Sequence, residues 1–155
     1  LDNRRSLFQK CQNILQYLNR SSDHLSAVVI DIDYFKKIND TWGHSVGDKA
    51  ISLVGELLKR SIRRTDIAAR YGGEEFALIL PNTNIRQACQ FAEKIRIQIE
   101  ELSIRTETCD ISITVSMGIA EYREAMNEVG DLLNAADIAL YEAKSAGRNC
   151  VKWAK

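Results

Sequence analysis

Hydrophobic side chains recur along this chain at helical and strand spacings, and polar segments separate the regular stretches. Apolar positions three or four residues apart predict amphipathic helices. These helices are expected over residues 3–20, from Ala50 to Ile62, from Ile85 to Leu102 after an Asn84 N-cap, and over about 130–146 before Gly147.

Strand patterns fill the spaces between the helices. Residues 25–35 form a buried apolar run that ends in acidic residues, and residues 111–122 alternate between apolar and polar positions. Residues 66–81 predict two strands that turn at Gly72–Gly73, because a Gly-Gly pair supplies the positive φ of a tight hairpin. These three segments therefore contribute four strands.

The order of these elements indicates the fold class. After the first helix they read βαββαβ, since residues 36–48 predict an irregular or short-helical connector and residues 149–154 a short closing strand. This order favours an α/β (α+β) fold in which helices flank one mostly antiparallel central sheet. Neither a repeat nor a linker divides the sequence, so we expect a single domain over residues 1–155.

The amino-acid composition of the chain argues against several classes of function. Among the 155 residues, Lys plus Arg and Asp plus Glu number 21 each, so no net field recruits nucleic acid or a membrane surface. Four scattered cysteines without C-x-x-C spacing argue against a zinc site or a disulfide scaffold and favour the reducing cytoplasm. No apolar run approaches the ~20 residues of a membrane span. The chain begins without Met, so we expect a longer parent with an upstream regulatory region that could anchor it to a membrane.

Two carboxylates stand together at the predicted end of the first strand. Asp31 and Asp33 are two residues apart, so in a strand their side chains point to the same face. Burying an unpaired carboxylate is costly, so the pair indicates a nearby cation, and hard oxygen ligands suit magnesium bound with nucleotide phosphates. The alternative is a strand that reaches solvent, with the aspartates capping the helical turn that follows.

A glycine turn followed by two glutamates forms the second candidate cluster. Gly72 and Gly73 lack a Cβ, so the backbone there can approach a ligand phosphate closely. Glu74 and Glu75 face opposite sides of an extended chain, so only one of them, Glu74, is expected opposite Asp31. The alternative is a common hairpin with solvated glutamates at its tip.

Polar residues of the connector and of the last helix end complete the candidate set. Asn39 and Asp48 offer an amide and a carboxylate that match the donors and acceptors of guanine, and His44 lies between them. Lys144 and Arg148 are close enough in sequence to hold a triphosphate. The alternatives are turn and N-cap roles for the connector residues and helix-dipole complementarity for the cations.

Together these segments resemble the GGDEF family of diguanylate cyclases. The resemblance covers nearly the whole chain and rests on D-I-D-Y-F-K-K-I-N-D-x-x-G-H-x-x-G-D from Asp31, R-Y-G-G-E-E-F from Arg70, and A-D-x-A-L-Y-x-A-K-x-x-G-R-N from Ala136. Residues 3–5 (NRR) also resemble the end of the family's opening motif. The resemblance implies a palm-like βαββαβ core, as in nucleotidyl cyclases and polymerases.

The resemblance also implies roles for individual residues. The ligands of Mg²⁺, with Mn²⁺ as an alternative ion, would be Asp31, the backbone carbonyl of Ile32, and Glu74. The substrate site would consist of Asn39 and Asp48 on guanine, His44 beside them, and Gly72, Gly73, Glu75, Lys144 and Arg148. Two residues would be catalytic: Lys36 would neutralise phosphate charge, and Glu74, or a hydroxide on its metal, would accept a proton.

The implied reaction joins two GTP molecules into cyclic di-GMP and releases two pyrophosphates. Because the product is two-fold symmetric and a site of this size binds one GTP, a second copy of the domain would complete a catalytic homodimer. Arg63 and Asp66 form an R-x-x-D that resembles the family's inhibitory site for its own product, with a basic helix end as the alternative. Neither nucleic acid nor a membrane is an expected partner of this segment.

Two other functions stay open at this stage. A non-catalytic module of the same fold would bind GTP or cyclic di-GMP without turnover. In such a module the metal-binding or glycine residues would be replaced, and in this sequence they are all present. A different palm-type cyclase would make another cyclic nucleotide, since Asn39 and Asp48 favour guanine without excluding a mixed product. The mass of the product made from GTP separates these functions.

Overall fold

The computed structural model describes residues 1–18 and 23–155. In this part of the chain the helices are α1 (Arg4–Leu18), α2 (Phe35–Trp42), α3 (His44–Ser61), α4 (Ile85–Glu100) and α5 (Val129–Ser145). The strands are β1 (Asp2–Asn3), β2 (Leu25–Ile32), β3 (Ile67–Arg70), β4 (Glu75–Pro81), β5 (Ile104–Arg105), β6 (Asp110–Ile111), β7 (Val115–Glu121) and β8 (Val151–Trp153). The predicted extension of the first helix to residue 20 lies outside the described residues. None of the helices just given combines the length and the apolar character that a bilayer crossing demands.

Six of the strands form one sheet in the order β1-β3-β4-β2-β7-β8. Strand β2 pairs antiparallel with β4 and β7, and β3 pairs antiparallel with β4. The edge strands β1 and β8 pair in parallel with β3 and β7. The sheet is therefore mostly antiparallel, and β2, α3, β3, β4, α4 and β7 reproduce the predicted βαββαβ order. A separate two-stranded sheet joins β5 and β6.

Helices cover both faces of the larger sheet. On one face α3 and α4 pack against alternate residues of β2, including Val28 and Ile30, and on the other α1 and α5 pack against Ala27 and Val29. All eight residues of β2 are buried, because a strand covered on both faces has no solvent side. The predicted acidic cluster therefore stands at the carboxyl end of a fully buried strand.

Two predicted helix ends are confirmed. The Asn84 side chain accepts from the backbone N–H of Gln87, and the Gln87 side chain accepts from the Asn84 N–H, so the two residues form a capping box at the start of α4. Gly147 follows α5 with φ +109, a left-handed conformation that glycine adopts without steric cost. The end of α5 at this position leaves Lys144 in its last turn.

The connector between β2 and α3 is more regular than predicted. Residues 36–48 contribute most of α2 and the first residues of α3, and Gly43 separates the two helices with φ +92. Glycine is favoured there because a Cβ would strain this backbone conformation. No residue of α2 is fully buried, but Phe35, Ile38 and Trp42 stand at helical spacing and pack, partly buried, against the core.

The strand predicted over residues 111–122 is shorter than expected. Strand β7 begins at Val115, and the start of the predicted strand belongs to β6. The ladder between β2 and β7 ends at the pair Ile32–Val115, because the chain after β2 turns away at Tyr34, which has φ +54. Just before Val115, the Thr114 carbonyl accepts from the backbone N–H of Asp33 at 2.9 Å, and the pairing of the two segments ends there.

The turn between β3 and β4 does not have the glycine conformation expected for it. Neither Gly72 nor Gly73 has a positive φ. The chain reverses over the four residues from Tyr71 to Glu74, and the backbone N–H groups of Tyr71 and Gly72 donate to the Glu75 carbonyl at 2.8 and 3.2 Å. A loop of this length reverses the chain without left-handed residues.

Candidate active site

The carboxyl end of β2 carries an ion pair whose aspartate is buried and whose lysine is partly exposed. Asp31 is 4% exposed, and the Nζ of Lys144 donates to its Oδ2 at 2.9 Å. The two residues are 113 positions apart, and the packing of α5 against β2 brings them together. The structure thus joins a residue of the predicted metal set to one of the predicted phosphate set.

Two glutamates from the turn between β3 and β4 approach the same aspartate. Glu75 lies opposite Asp31 in the ladder between β2 and β4, and the backbone N–H of Ile32 donates to the Glu74 carbonyl at 3.2 Å. Burial and then the charge of Asp31 raise the pKa of both glutamates, while Lys144 lowers it. Three carboxyl groups therefore share one ammonium group, and this excess of negative charge favours a bound cation.

This register corrects the expected position of the glutamates. The residue opposite Asp31 is Glu75 and not Glu74, because β4 begins at Glu75 and Glu74 belongs to the turn. The expectation that only one glutamate joins the site stays a prediction, although the charge of Asp31 raises the pKa of both glutamates. Glu74 lies in the turn before β4, so the alternating side-chain directions of a strand do not apply to it.

The residues at this edge fit the magnesium site that the family resemblance implies. Asp31, Glu74 and the Ile32 carbonyl supply hard oxygen atoms, and the excess negative charge is what a divalent cation would neutralise. Within residues 1–18 and 23–155, no three His, Cys, Asp or Glu side chains are arranged as a metal cage. Mg²⁺ commonly binds through one or two carboxylates and completes its shell with water and substrate phosphates, so two carboxylates are sufficient.

Asp33 belongs to a different set of contacts. Its Oδ2 accepts from the Thr114 hydroxyl at 2.7 Å and from the backbone N–H of Asn149 at 3.0 Å, and its Oδ1 accepts from the Ser116 hydroxyl at 2.6 Å. A buried carboxylate with three donors is satisfied without a metal. The two predicted aspartates therefore have different roles. Asp31 faces the glutamates, and Asp33 binds Thr114, Ser116 and the backbone of Asn149.

The predicted guanine-reading residues lie on α2 and α3. The Oδ1 of Asn39 is buried without a hydrogen-bond partner among the described residues, which is uncommon for a polar atom. Gly47 lies directly against this oxygen, since a Cβ at Gly47 would be 1.9 Å from it. His44 and Asp48 are exposed and lie one turn apart at the start of α3. The Asn39 Oδ1 faces Gly47 and not solvent, so a base could bind this amide only after the side chain rotates.

The predicted phosphate-binding residues differ in how firmly they are held. Lys36 is exposed on the first turn of α2, and the Lys144 side chain is 34% exposed. The Arg148 guanidinium lies over the ring of Tyr34, 4.7 Å from the ring centroid. Gly73 has open space where a Cβ would stand, so the turn can be approached there. The structure therefore pairs Lys144 with Asp31, stacks Arg148 and leaves Lys36 in solvent.

A third buried aspartate, Asp66, lies away from this edge. The Asp66 side chain is 2% exposed. It accepts from the backbone N–H of Arg63 at 2.8 Å and from a terminal nitrogen of the Arg63 guanidinium at 2.8 Å. The guanidinium also donates to the Pro81 carbonyl at 2.8 Å and to the Thr83 hydroxyl at 2.9 Å. The two residues predicted as an inhibitory site thus form a compact ion pair in this conformation.

Several residues near the site were not singled out from the sequence. Thr114 and Ser116 read as the polar side of a strand, but both donate to Asp33. Their spacing of two, on a strand beside an acidic strand end, is a signal that could have indicated this contact. Tyr34 and Asn149 have no such signal, because their contacts depend on the conformation of two separate turns.

The sequence profile described as "Diguanylate cyclase, GGDEF domain" matches residues 1–150. The chain belongs to this family of nucleotidyltransferases. Similar proteins include Diguanylate cyclase A of Treponema denticola, which is 44% identical over 131 residues, 84% of this chain and 35% of that protein. The response regulator PleD of Caulobacter vibrioides is 35% identical over 153 residues, 97% of this chain and 34% of that protein. The chain therefore spans about a third of the length of these relatives.

Solved structures of related domains have the same fold. The GGDEF domain of DgcB from Caulobacter crescentus, described in complex with c-di-GMP, has a TM-score of 0.94 at 34% identity, covering 100% of this chain and 89% of that chain. The active GGEEF domain of a diguanylate cyclase from Vibrio cholerae has a TM-score of 0.94 at 33% identity, covering 100% of this chain and 98% of that chain. The predicted fold class and the predicted family are confirmed.

Proposed function

We propose that this domain is a diguanylate cyclase that joins two GTP molecules into cyclic di-GMP and releases two pyrophosphates. The observation that carries the proposal is the sheet edge where Asp31 pairs with Lys144 at 2.9 Å and shares its surroundings with Glu74 and Glu75. Nucleotidyl transfer uses carboxylates for a divalent cation beside a cationic group for phosphate. Membership of the GGDEF family supports GTP as the nucleotide and cyclic di-GMP as the product.

The base of GTP binds toward α2 and α3 in this proposal. The Asn39 amide binds the base after it rotates its buried Oδ1 away from Gly47, and Asp48 accepts from the N1–H and N2–H₂ groups of guanine. His44 lies one turn before Asp48 and adds a further polar group. Such a site discriminates between bases strongly, because the wrong base leaves polar groups unpaired.

The triphosphate of GTP binds between the carboxylates and the cations. Mg²⁺, or Mn²⁺ in its place, would be held by Asp31, Glu74 and the Ile32 carbonyl, and when bound it stabilises negative charge on the reacting phosphoryl group. The side chains that stabilise the charge of the leaving pyrophosphate are Lys36, Lys144 and Arg148. The backbone of Gly72 and Gly73 passes beside the α-phosphate, where the absence of a Cβ permits close approach.

The 3′-hydroxyl of one GTP attacks the α-phosphorus of the other. A P–O ester bond forms, the bond to pyrophosphate breaks, and pyrophosphate leaves with that electron pair. Glu74 is the carboxylate proposed to accept the hydroxyl proton, since it lies in the turn beside the end of β2. The second transfer repeats these steps with the roles of the two nucleotides exchanged.

A second copy of the domain completes the reaction. Cyclic di-GMP has two-fold symmetry, and a site of this size holds one GTP. Two copies related by a two-fold axis can each present a bound nucleotide to the other, so that each 3′-hydroxyl faces the partner's α-phosphorus. The working unit in this proposal is therefore a homodimer.

Cyclic di-GMP then restrains its own synthesis at Arg63 and Asp66. The Arg63 side chain is 55% exposed, so its guanidinium can bind a phosphate or stack on guanine. An adjacent cavity of about 250 Å³, bordered by Thr83 and Phe91, can accept part of the nucleotide. Guanine can reach Asp66 only after Arg63 moves, because Arg63 now supplies the donors to that carboxylate.

Incubation with GTP and Mg²⁺, followed by mass spectrometry and a pyrophosphate assay, tests the proposal. The expected products are cyclic di-GMP and two pyrophosphates for each molecule of it, with ATP as the control substrate. Bound but unchanged GTP would identify a non-catalytic module, and a cyclic product of another mass would identify a different cyclase. Either result contradicts the proposal.

A further inference from the structure

Backbone strain in this molecule is concentrated where Arg148 meets Tyr34. Among the described residues, four that are not glycine have a positive φ, and three of them are Tyr34 (+54), Arg148 (+66) and Asn149 (+47). Side chains with a Cβ disfavour this left-handed region. Such conformations persist where surrounding contacts impose them, and their clustering at one place indicates a functional constraint.

A polar network holds the turn that carries Arg148. Asp33 accepts from the backbone N–H of Asn149 at 3.0 Å, which ties the turn to the end of β2. The Asn149 side chain accepts from Arg96 on α4 at 2.8 Å and donates to Glu100 on the same helix. The residue next to Arg148 is therefore fixed from two sides, by the sheet and by α4.

The same segment holds Tyr34 on the opposite side of the contact. Tyr34 directly follows Asp33, so the carboxylate that fixes Asn149 also fixes the backbone from which the tyrosine ring extends. The distance of 4.7 Å between the Arg148 guanidinium carbon and the ring centroid is within the ~6 Å of a cation–π contact. Tyr34 is 59% exposed, so core packing does not explain its position.

We propose that Tyr34 is a positioning residue that orients the Arg148 guanidinium toward the phosphates of GTP. The proposal rests on the proposed function, since Arg148 binds phosphate only if the site takes a nucleotide. A free arginine side chain loses rotamer entropy when a phosphate orders it. Stacking on Tyr34 orders the guanidinium before the nucleotide arrives, so affinity for the β- and γ-phosphates depends on the ring.

Binding of 3′-deoxy-GTP and of GMP tests this role. The first ligand lacks the attacking hydroxyl and does not turn over, and the second lacks the β- and γ-phosphates. Tyr34→Leu is expected to weaken 3′-deoxy-GTP binding about two- to fivefold, the range of an exposed cation–π contact, and to leave GMP binding unchanged. Tyr34→Phe keeps the ring and is the matched control, which should retain the affinity of the unmodified chain for both ligands.

A double-mutant cycle separates this role from a general structural effect. If Tyr34 acts through Arg148, then Tyr34→Leu causes no further loss of 3′-deoxy-GTP affinity in a chain that already carries Arg148→Met. A full additive loss in the double variant would overturn the proposal. Equal weakening of GMP and 3′-deoxy-GTP by Tyr34→Leu alone would also overturn it.

The unmodified chain distinguishes failure of this proposal from failure of the proposed function. If it makes cyclic di-GMP while Tyr34→Leu keeps full 3′-deoxy-GTP affinity, the positioning role is wrong and the cyclase assignment stands. If it makes no cyclic di-GMP while Tyr34→Leu still lowers affinity for the triphosphate alone, the reaction is wrong and the positioning role stands.

Discussion

Two buried aspartates, each paired with a basic side chain, lie at opposite ends of the same sheet. Asp31 is near the end of β2, and Asp66 precedes β3, which runs in the same direction as β2 on the far side of β4. Asp66 accepts from the backbone and the side chain of Arg63, three residues away. Asp31 accepts from Lys144, 113 residues away, and faces Glu75 across the ladder. The Arg63–Asp66 pair is local, and its carboxylate has several hydrogen-bond donors. The Asp31–Lys144 pair is long-range, and the carboxylates around it outnumber the cations.

This difference shows that an unbalanced charge indicates a binding site better than the presence of an ion pair does. A carboxylate that takes its donors from its own loop is explained by the stability of that loop. Glutamates with a raised pKa destabilise the fold when they are ionised, so the arrangement at Asp31 needs a compensating ligand to be explained. The Asp31 edge therefore indicates a binding site directly, and the Arg63–Asp66 pair indicates one only if it opens.

The largest expected effect is at the edge where charge is least compensated. Glu74→Gln removes a metal ligand and the proposed base, and we expect cyclic di-GMP synthesis to fall about 10²- to 10⁴-fold at saturating Mg²⁺. Thermal stability should stay equal or rise, because one of the crowded carboxylates loses its charge. The matched control is Glu107→Gln, an exposed glutamate between β5 and β6. Undiminished synthesis by Glu74→Gln would remove Glu74 from the site.

The next effect concerns the cation of the long-range pair. Lys144→Met leaves Asp31 and its neighbouring glutamates without an ammonium group and removes a phosphate contact. We expect kcat/KM for GTP to fall about 10- to 150-fold, the range of a hydrogen bond to a charged group. Lys144→Arg should recover part of this loss, and Lys152→Met on β8 serves as the control. Equal rates for Lys144→Met and the control would contradict a role for this ion pair in substrate binding.

The fold was predictable where the sequence pattern comes from burial. The fully buried β2, the apolar faces of α3, α4 and α5, and the Asn84 cap all have local signals, and the structure confirms them. Helix α2 has a short apolar stripe of Phe35, Ile38 and Trp42, but none of these residues is fully buried and the helix has only eight residues, so its signal is weaker. The early end of β7 was not predictable, because the point where β2 turns away at Tyr34 decides it.

The candidate site was predictable as a set of residues but not as a set of contacts. Asp31, Glu74 and Lys144 were identified through motifs, whereas the register that places Glu75 opposite Asp31 depends on where β4 begins. The division between Asp31 and Asp33 depends on hydroxyl groups contributed by β7 and its preceding residue, more than 80 positions away. Such long-range partners leave no local pattern in the chain.

The local pair is expected to matter for regulation and not for the reaction itself. Arg63→Ala removes the guanidinium that would bind the product, so the concentration of cyclic di-GMP needed for inhibition should rise about tenfold or more. The initial rate at low product should change less than about twofold, since Arg63 lies far from Asp31 along the sheet. Arg64→Ala changes an exposed neighbouring arginine and is the control. Identical inhibition curves for Arg63→Ala and the unmodified chain would show that the motif only closes a loop.

Magnesium alone should distinguish the two pairs without any turnover. A cation that binds the folded chain at ten times its dissociation constant stabilises it by about 1.4 kcal/mol. For a chain of this size that corresponds to a rise in Tm of about 3–6 °C. We expect this rise in the unmodified protein and in Arg63→Ala, because both keep the excess of negative charge at Asp31. Glu74→Gln should lose most of the rise, since it removes one of the two carboxylate ligands, and NaCl at equal ionic strength controls for screening. A full rise in Glu74→Gln would mean that Mg²⁺ binds elsewhere and that the uncompensated carboxylates at Asp31 are not its site.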